Sequence, residues 1–204
     1  MKRLFLLIFG LISITATAQE KTNGLMAEFS FGSTRYGNYS AISAFHDTTA
    51  TYSMIPTLQL SVGYRFADDW FLGVSAKYDG GNSSVRTLEE KFVNLGVMVD
   101  VRHYFPLSSR LELELGVAAG LLVHTNNFKY LGQNHSTSRV GFDGSFIAGI
   151  KYEFKPNHYI GIKASIYNIG ILPDKPEDIP MGLTSNAGDA IIGHGLLCSY
   201  GVVF

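Results

Sequence analysis

The chain has 204 residues, enough for one domain, and its charge is nearly balanced, with 16 Lys and Arg against 17 Asp and Glu. That balance argues against a nucleic-acid footprint. The one cysteine, Cys198, excludes an internal disulfide and a cysteine metal site.

The first residues read as an export signal. Lys2 and Arg3 give a positive start, residues 4–14 an apolar run, and Ala16-Thr17-Ala18 a small-residue cleavage site. The run is about half of the ~20 apolar residues that a spanning helix needs. The expected organisation is a signal peptide at 1–18 and one domain at 19–204. No later apolar run is long enough for a membrane helix.

The domain reads as eight strands, because side chains alternate with period two. They are predicted at residues 25–31, 55–66, 70–78, 91–105, 110–124, 139–154, 158–168 and 191–204. The second is the cleanest: Leu58, Leu60, Val62, Tyr64 and Phe66 oppose Thr57, Gln59, Ser61, Gly63 and Arg65. In the last, Ile192, Leu196, Cys198, Tyr200, Val202 and Phe204 oppose Gly193, Gly195, Ser199 and Gly201. Longer polar stretches are predicted as loops at 32–54, 79–90, 125–138 and 170–190. Short turns fall at 67–69, 106–109 and 155–157. Pro173, Pro176 and Pro180 break regular structure in the last loop.

Two regularities point to the fold. Loops alternate long and short, so antiparallel strands gather every long loop at one end and both termini at the other. The apolar face carries Leu, Val, Ile and Phe without a charge, while the other mixes charges with Gly, Ala and Ser. A soluble sandwich or lipocalin-like barrel would point the apolar face inward and show water a face richer in Lys, Glu and Thr. The fourth, fifth and sixth strands also exceed the ~9–11 residues of a tilted membrane strand. Phe66, Trp70, Phe105, Phe154 and Phe204 sit at the short-turn ends, and Phe31, Tyr78 and Phe142 near the long loops, as two aromatic girdles would. The expected fold is all-β, an eight-stranded antiparallel transmembrane up-and-down β-barrel.

The signal peptide, the eight amphipathic strands, the loop alternation and the closing Tyr200-Gly201-Val202-Val203-Phe204 resemble small outer-membrane β-barrel proteins of the OmpA/OmpX type. They are similar also to the outer-membrane β-barrel domain family common in Bacteroidetes. The resemblance implies a Gram-negative outer membrane, periplasmic termini, and outer-membrane lipid and lipopolysaccharide as neighbours. It further implies that Tyr200, Val202 and Phe204 form the signal read by the barrel-assembly machinery, with Cys198 an unusual occupant of that alternation. The peptidoglycan-binding domain that OmpA-like proteins often carry is not expected.

The inner face is expected to hold a charge network of Glu28, Arg65, Lys77, Asp100, Arg102, Glu112, Glu114, Asp143, Lys151 and Lys163, with Arg110 and Glu153 beside them. Eight strands leave an interior that side chains just fill, so these charges should pair. They form either a salt-bridged plug or a narrow path for ions or small solutes. Gly193, Gly195 and Gly201 are expected to leave room for neighbouring charged side chains. No cofactor is expected. A lipid-modifying enzyme at the outer rim is the third reading, but His194, expected to face lipid, has Leu196 rather than Ser two residues on. His124 and His135 are expected at the third loop, and His46-Asp47 in the first, where a metal site is conceivable. Tyr36, Tyr39, Phe45 and Tyr52 lie amid Asn, Ser and Thr in the first loop. They suit an adhesive surface or simply pack together. A structural or surface-interaction role, with an extracellular ligand held by residues 32–54 and 170–190, is the leading expectation.

Overall fold

The computed structural model describes residues 23–36, 42–43, 54–67, 69–85, 88–130, 132–171, 184–185 and 190–204. The predicted signal peptide, His46-Asp47, the loop aromatics Tyr39, Phe45 and Tyr52, and Pro173 to Pro180 lie outside them. Ten strands follow one another: β1 (Gly24–Tyr36), β2 (Ile42–Ser43), β3 (Ile55–Phe66), β4 (Trp70–Val85), β5 (Leu88–Pro106), β6 (Leu111–Tyr130), β7 (Gln133–Lys155), β8 (His158–Ile171), β9 (Thr184–Ser185) and β10 (Ala190–Val203). Eight close a barrel in the order β1-β10-β8-β7-β6-β5-β4-β3, and β2 pairs with β9 as a separate two-stranded piece. All pairings are antiparallel, so the barrel runs up and down.

Closure removes both edges that β1 and β10 would otherwise expose. The pairing of β1 with β10 runs from Met26 opposite Val203 to Tyr36 opposite Gly193. At its end the Phe204 amide donates to the Leu25 carbonyl at 2.7 Å. The strands are staggered. Stepping across the ladders from Met26 leads through Gly63, Gly73, Asp100, Ala118, Ser145, Tyr167 and Gly193 and returns to β1 at Tyr36, ten residues on. Such a stagger tilts the strands by roughly 35–45° to the barrel axis.

The period-two alternation sorts side chains as expected. Leu60, Val74, Val97, Phe146, Ile162 and Leu196 are exposed on the outer wall, whereas Glu28, Lys77, Asp100, Arg102, Glu114, Lys151 and Lys163 are buried inside. This inverts a soluble barrel and requires a lipid solvent outside.

Two predicted loops are not loops. Residues 79–90 and 125–138 are mostly strand, leaving only 86–87 between β4 and β5 and 131–132 between β6 and β7. β5, β6 and β7 therefore run for 19, 20 and 23 residues, against 13 in β1 and 12 in β3. The extra length stands beyond the wall as a protruding sheet. Its outward row of Asn82, Lys91, Asn127 and Ser136, matched strand to strand, is polar. Above the apolar belt neither face need be greasy, so the alternation that marks a strand disappears there.

Candidate functional site

The lumen is filled in layers. At the short-turn end the Arg65 guanidinium holds Glu112 bidentately, at 2.6 and 3.2 Å, and lies 4.6 Å from the Tyr104 ring centroid. Met26, Phe71, Tyr104, Tyr159 and Val203 pack beside it as an apolar cluster.

Arg102 is the hub of the next layer. Its Nη1 donates to Glu28 Oε1 at 2.5 Å and to Glu114 Oε1 at 3.0 Å. Its Nε donates to Asp100 Oδ1 at 2.9 Å, and its Nη2 to Ser61 at 2.7 Å and to Asp100 Oδ2. Lys151 bridges the second oxygens of Glu28 and Glu114 at 2.8 and 3.0 Å. Lys163 meets Glu28 at 2.6 Å. Three cations thus face three carboxylates, all removed from solvent, with the planar guanidinium serving several acceptors at once.

Met98, Ala118, Ile147 and Leu197 are buried beyond the hub, the first three opposite the buried Ser75, Ser145 and Ser165. On β5, β6 and β7 these residues lie between the hub and a second polar cluster. There Lys77 pairs with Asp143 and sits 3.5 Å from Asp79. Asp79 accepts from the Tyr36 hydroxyl at 2.6 Å and from the Asn94 amide at 2.7 Å. His124 Nδ1 lies 2.7 Å from Asn94 Oδ1. Ile55, Phe92, Leu122 and Phe128 are buried beyond this cluster.

All ten residues of the expected network face inward, but in three groups: Arg65 with Glu112; Glu28, Asp100, Arg102, Glu114, Lys151 and Lys163; and Lys77 with Asp143. Arg110 does not join them. It is exposed in the turn before β6, because the strand starts one residue later than expected. Glu153 accepts the Asn157 amide at 2.9 Å and so caps a short turn. Asp79 and His124 belong to the lumen rather than to loops. Continuing the period from Lys77 to Asp79 would have found the first. Gly193 and Gly201 make room for rings, not charges: a Cβ on Gly193 would lie 2.5 Å from the Tyr36 ring, and one on Gly201 2.1 Å from that of Tyr159.

Outside, His194 is exposed as expected, with Arg35 and Ile166 as its cross-strand neighbours. His135 faces inward and stacks on Phe128 at 5.1 Å. Among the described residues no three His, Cys, Asp or Glu side chains could hold a metal. Tyr200 and Phe204 are exposed on the outer wall, and the Tyr200 hydroxyl lies 2.8 Å from His158 Nδ1. Cys198 is free and exposed on the same wall.

The protruding sheet has an open side. β8 stops where Ile171 meets Gly141, but β7 begins at Gln133. Among the described residues, no strand pairs with residues 133–138 on that side.

None of the curated proteins matches the sequence. Solved structures do match the fold. Neisserial surface protein A is similar with a TM-score of 0.56 at 15% identity, over 89% of this chain and 97% of that one. Ail, the attachment invasion locus protein of Yersinia pestis, is similar with a TM-score of 0.50 at 16% identity, over 88% and 99%. The same protein in complex with the heparin analogue sucrose octasulfate gives 0.51 at 16%, over 88% and 98%. The outer membrane protein beta-barrel domain family matches residues 4–195. The match spans most of the chain, in keeping with the closed barrel and its apolar outer wall, and this chain belongs to that family.

Proposed function

We propose that the chain is a non-enzymatic, non-conducting outer-membrane barrel that serves surface interaction, with its short turns in the periplasm and its protruding sheet outside the cell. The carrying observation is the height of β7, which begins at Gln133 while β8 joins it only at Gly141, so that among the described residues no strand pairs with residues 133–138 on that side. An unpaired edge is a template for an added strand. The sequence after β8 contains Pro173, Pro176 and Pro180, a residue type that a sheet ladder disfavours. A second copy in the same membrane does not suit the edge either. Both copies of β7 would run toward the membrane, tilted in the same sense, so they would not meet antiparallel. An extended segment of another protein fits best.

The filled lumen supports a closed barrel over a channel. The residues directly opposite His194, the Arg35 cation and Ile166, offer it no hydroxyl to activate, which supports a non-enzyme. The test removes residues 127–136, which pair across the β6–β7 hairpin, and scores adhesion of cells displaying the barrel to host-cell and matrix surfaces. Loss of adhesion with the barrel still inserted is expected; unchanged adhesion would overturn the proposal.

A further inference from the structure

The ladder between β3 and β4 stops early. Its last pair is Thr57 opposite Asp79. Yet β3 stays paired with β1 as far as Ile55, and β4 with β5 as far as Val85. Continuing the register would set Pro56 opposite Gly80, and a proline has no N–H to give to a ladder. The wall therefore forks above Thr57, at the foot of the protruding sheet.

An open cleft of about 450 Å³ occupies the fork, within the roughly 300–1,000 Å³ of small-ligand sites. Its floor is apolar, because Ile55 and Phe92 are buried behind Gly81. A Cβ on Gly81 would lie 3.1 Å from Ile55 Cγ1 and 3.2 Å from the Phe92 ring. The outer rim is mixed. Tyr78 is exposed at its lower end, and its hydroxyl reaches to 3.2 Å from where a Gly80 Cβ would stand. Asn82 and Lys91 are cross-strand partners, both exposed. Among the described residues that line the cleft, Lys91 alone is charged.

A phenol ring, an amide and one ammonium around a shallow cleft are complementary to a sugar ring with one acid group. Such a ring presents C–H bonds to an aromatic side chain, hydroxyls to an amide, and a carboxylate to a cation. We infer that the fork binds a uronic acid residue of a soluble polysaccharide. The sugar ring lies against Tyr78 over Gly80, its carboxylate meets the Lys91 ammonium, and its hydroxyls meet the Asn82 amide. An added peptide strand does not suit the fork, because β3 already stands beside Gly80 and Gly81. A membrane glycolipid does not suit it either, because Tyr78 closes the lower end and leaves no path for an acyl chain. The site lies on the opposite side of the protruding sheet from the edge of β7. It rests on the orientation proposed above, which turns the fork to the outside of the cell.

The test uses the purified, folded barrel in detergent, where binding does not depend on orientation. Failure of the site and failure of the orientation are therefore read apart. Saturation-transfer NMR titrations compare glucuronic acid with glucose, which differ only in the carboxylate. The barrel should bind glucuronate about fivefold more tightly, the worth of one exposed charge pair. K91A should abolish that preference and leave glucose binding unchanged. Y78A should weaken both sugars alike. K129A, a cation on the protruding sheet away from the fork, should change neither. Each variant is compared as its folded, heat-modifiable form. No binding of either sugar, equal binding of the two, an unaltered preference in K91A, or an equal loss in K129A would each overturn the site.

Discussion

At Arg102 every donor direction is taken: three carboxylates and the Ser61 hydroxyl surround one guanidinium with no exposed surface. Removing it would leave Glu28, Asp100 and Glu114 with only Lys151 and Lys163 to balance them. Arg102→Ala should therefore destabilise the barrel by about 3–5 kcal/mol, the range for breaking a buried ion pair. Arg65 and Glu112 make a contrast at the same scale, since their side chains keep 10% and 19% of their exposure. Glu112→Gln should cost no more than about 1 kcal/mol, because water can serve what the carboxylate leaves. Unfolding in denaturant from the same lipid, monitored by tryptophan fluorescence, compares the two. Similar losses would show that the hub is not the centre of stability that its geometry suggests. The hub residues were legible one by one, because each follows the period of its strand. Their grouping was not, because an alternating pattern says which face a charge occupies and nothing about its partner. Tyr36 shows the same limit. It read as a loop aromatic, yet its ring occupies the space that Gly193 leaves and its hydroxyl serves Asp79.

Among the elements, β3 and β10 were legible to within a residue, and β7 was not. β10 alternates to its last residue, and its outward row of Leu196, Cys198, Tyr200, Val202 and Phe204 meets lipid. The expectation that Tyr200, Val202 and Phe204 guide assembly becomes a proposal about this element. Phe204→Ser should lower the amount of barrel inserted in the outer membrane, measured as the heat-modifiable folded band in membrane fractions. Full insertion of that variant would remove the terminal ring from the signal. β7 hid its first six residues. From Gln133 to Ser138 its residues are Gln, Asn, His, Ser, Thr and Ser, a composition that reads as loop. Those residues are strand because β6 runs beside them, with Tyr130 opposite Gln133 and Thr125 opposite Ser138. Pairing of this kind depends on a neighbour rather than on local hydrophobicity.

For the whole molecule, the layers of the lumen decide between plug and path. The ion-paired hub of Arg102 fills the lumen next to the apolar Met26–Phe71–Tyr104–Tyr159–Val203 cluster at the short-turn end. An ion moving through would have to part ion pairs and cross that apolar cluster. In planar bilayers the purified barrel should give no stable single-channel steps. Steps that recur at a fixed conductance would return the channel reading to first place.

Strand number, the antiparallel course and the greasy outer wall were determined by the sequence itself. Each is a local property: a period of two, a turn signal, a face without charges. The height of the protruding sheet, the open edge of β7 and the identity of every lumen partner were decided only by tertiary structure. Glu28 meets Lys163 from 135 residues away. That meeting depends on the ten-residue stagger with which the barrel closes, and stagger belongs to the closed ring, not to any one strand.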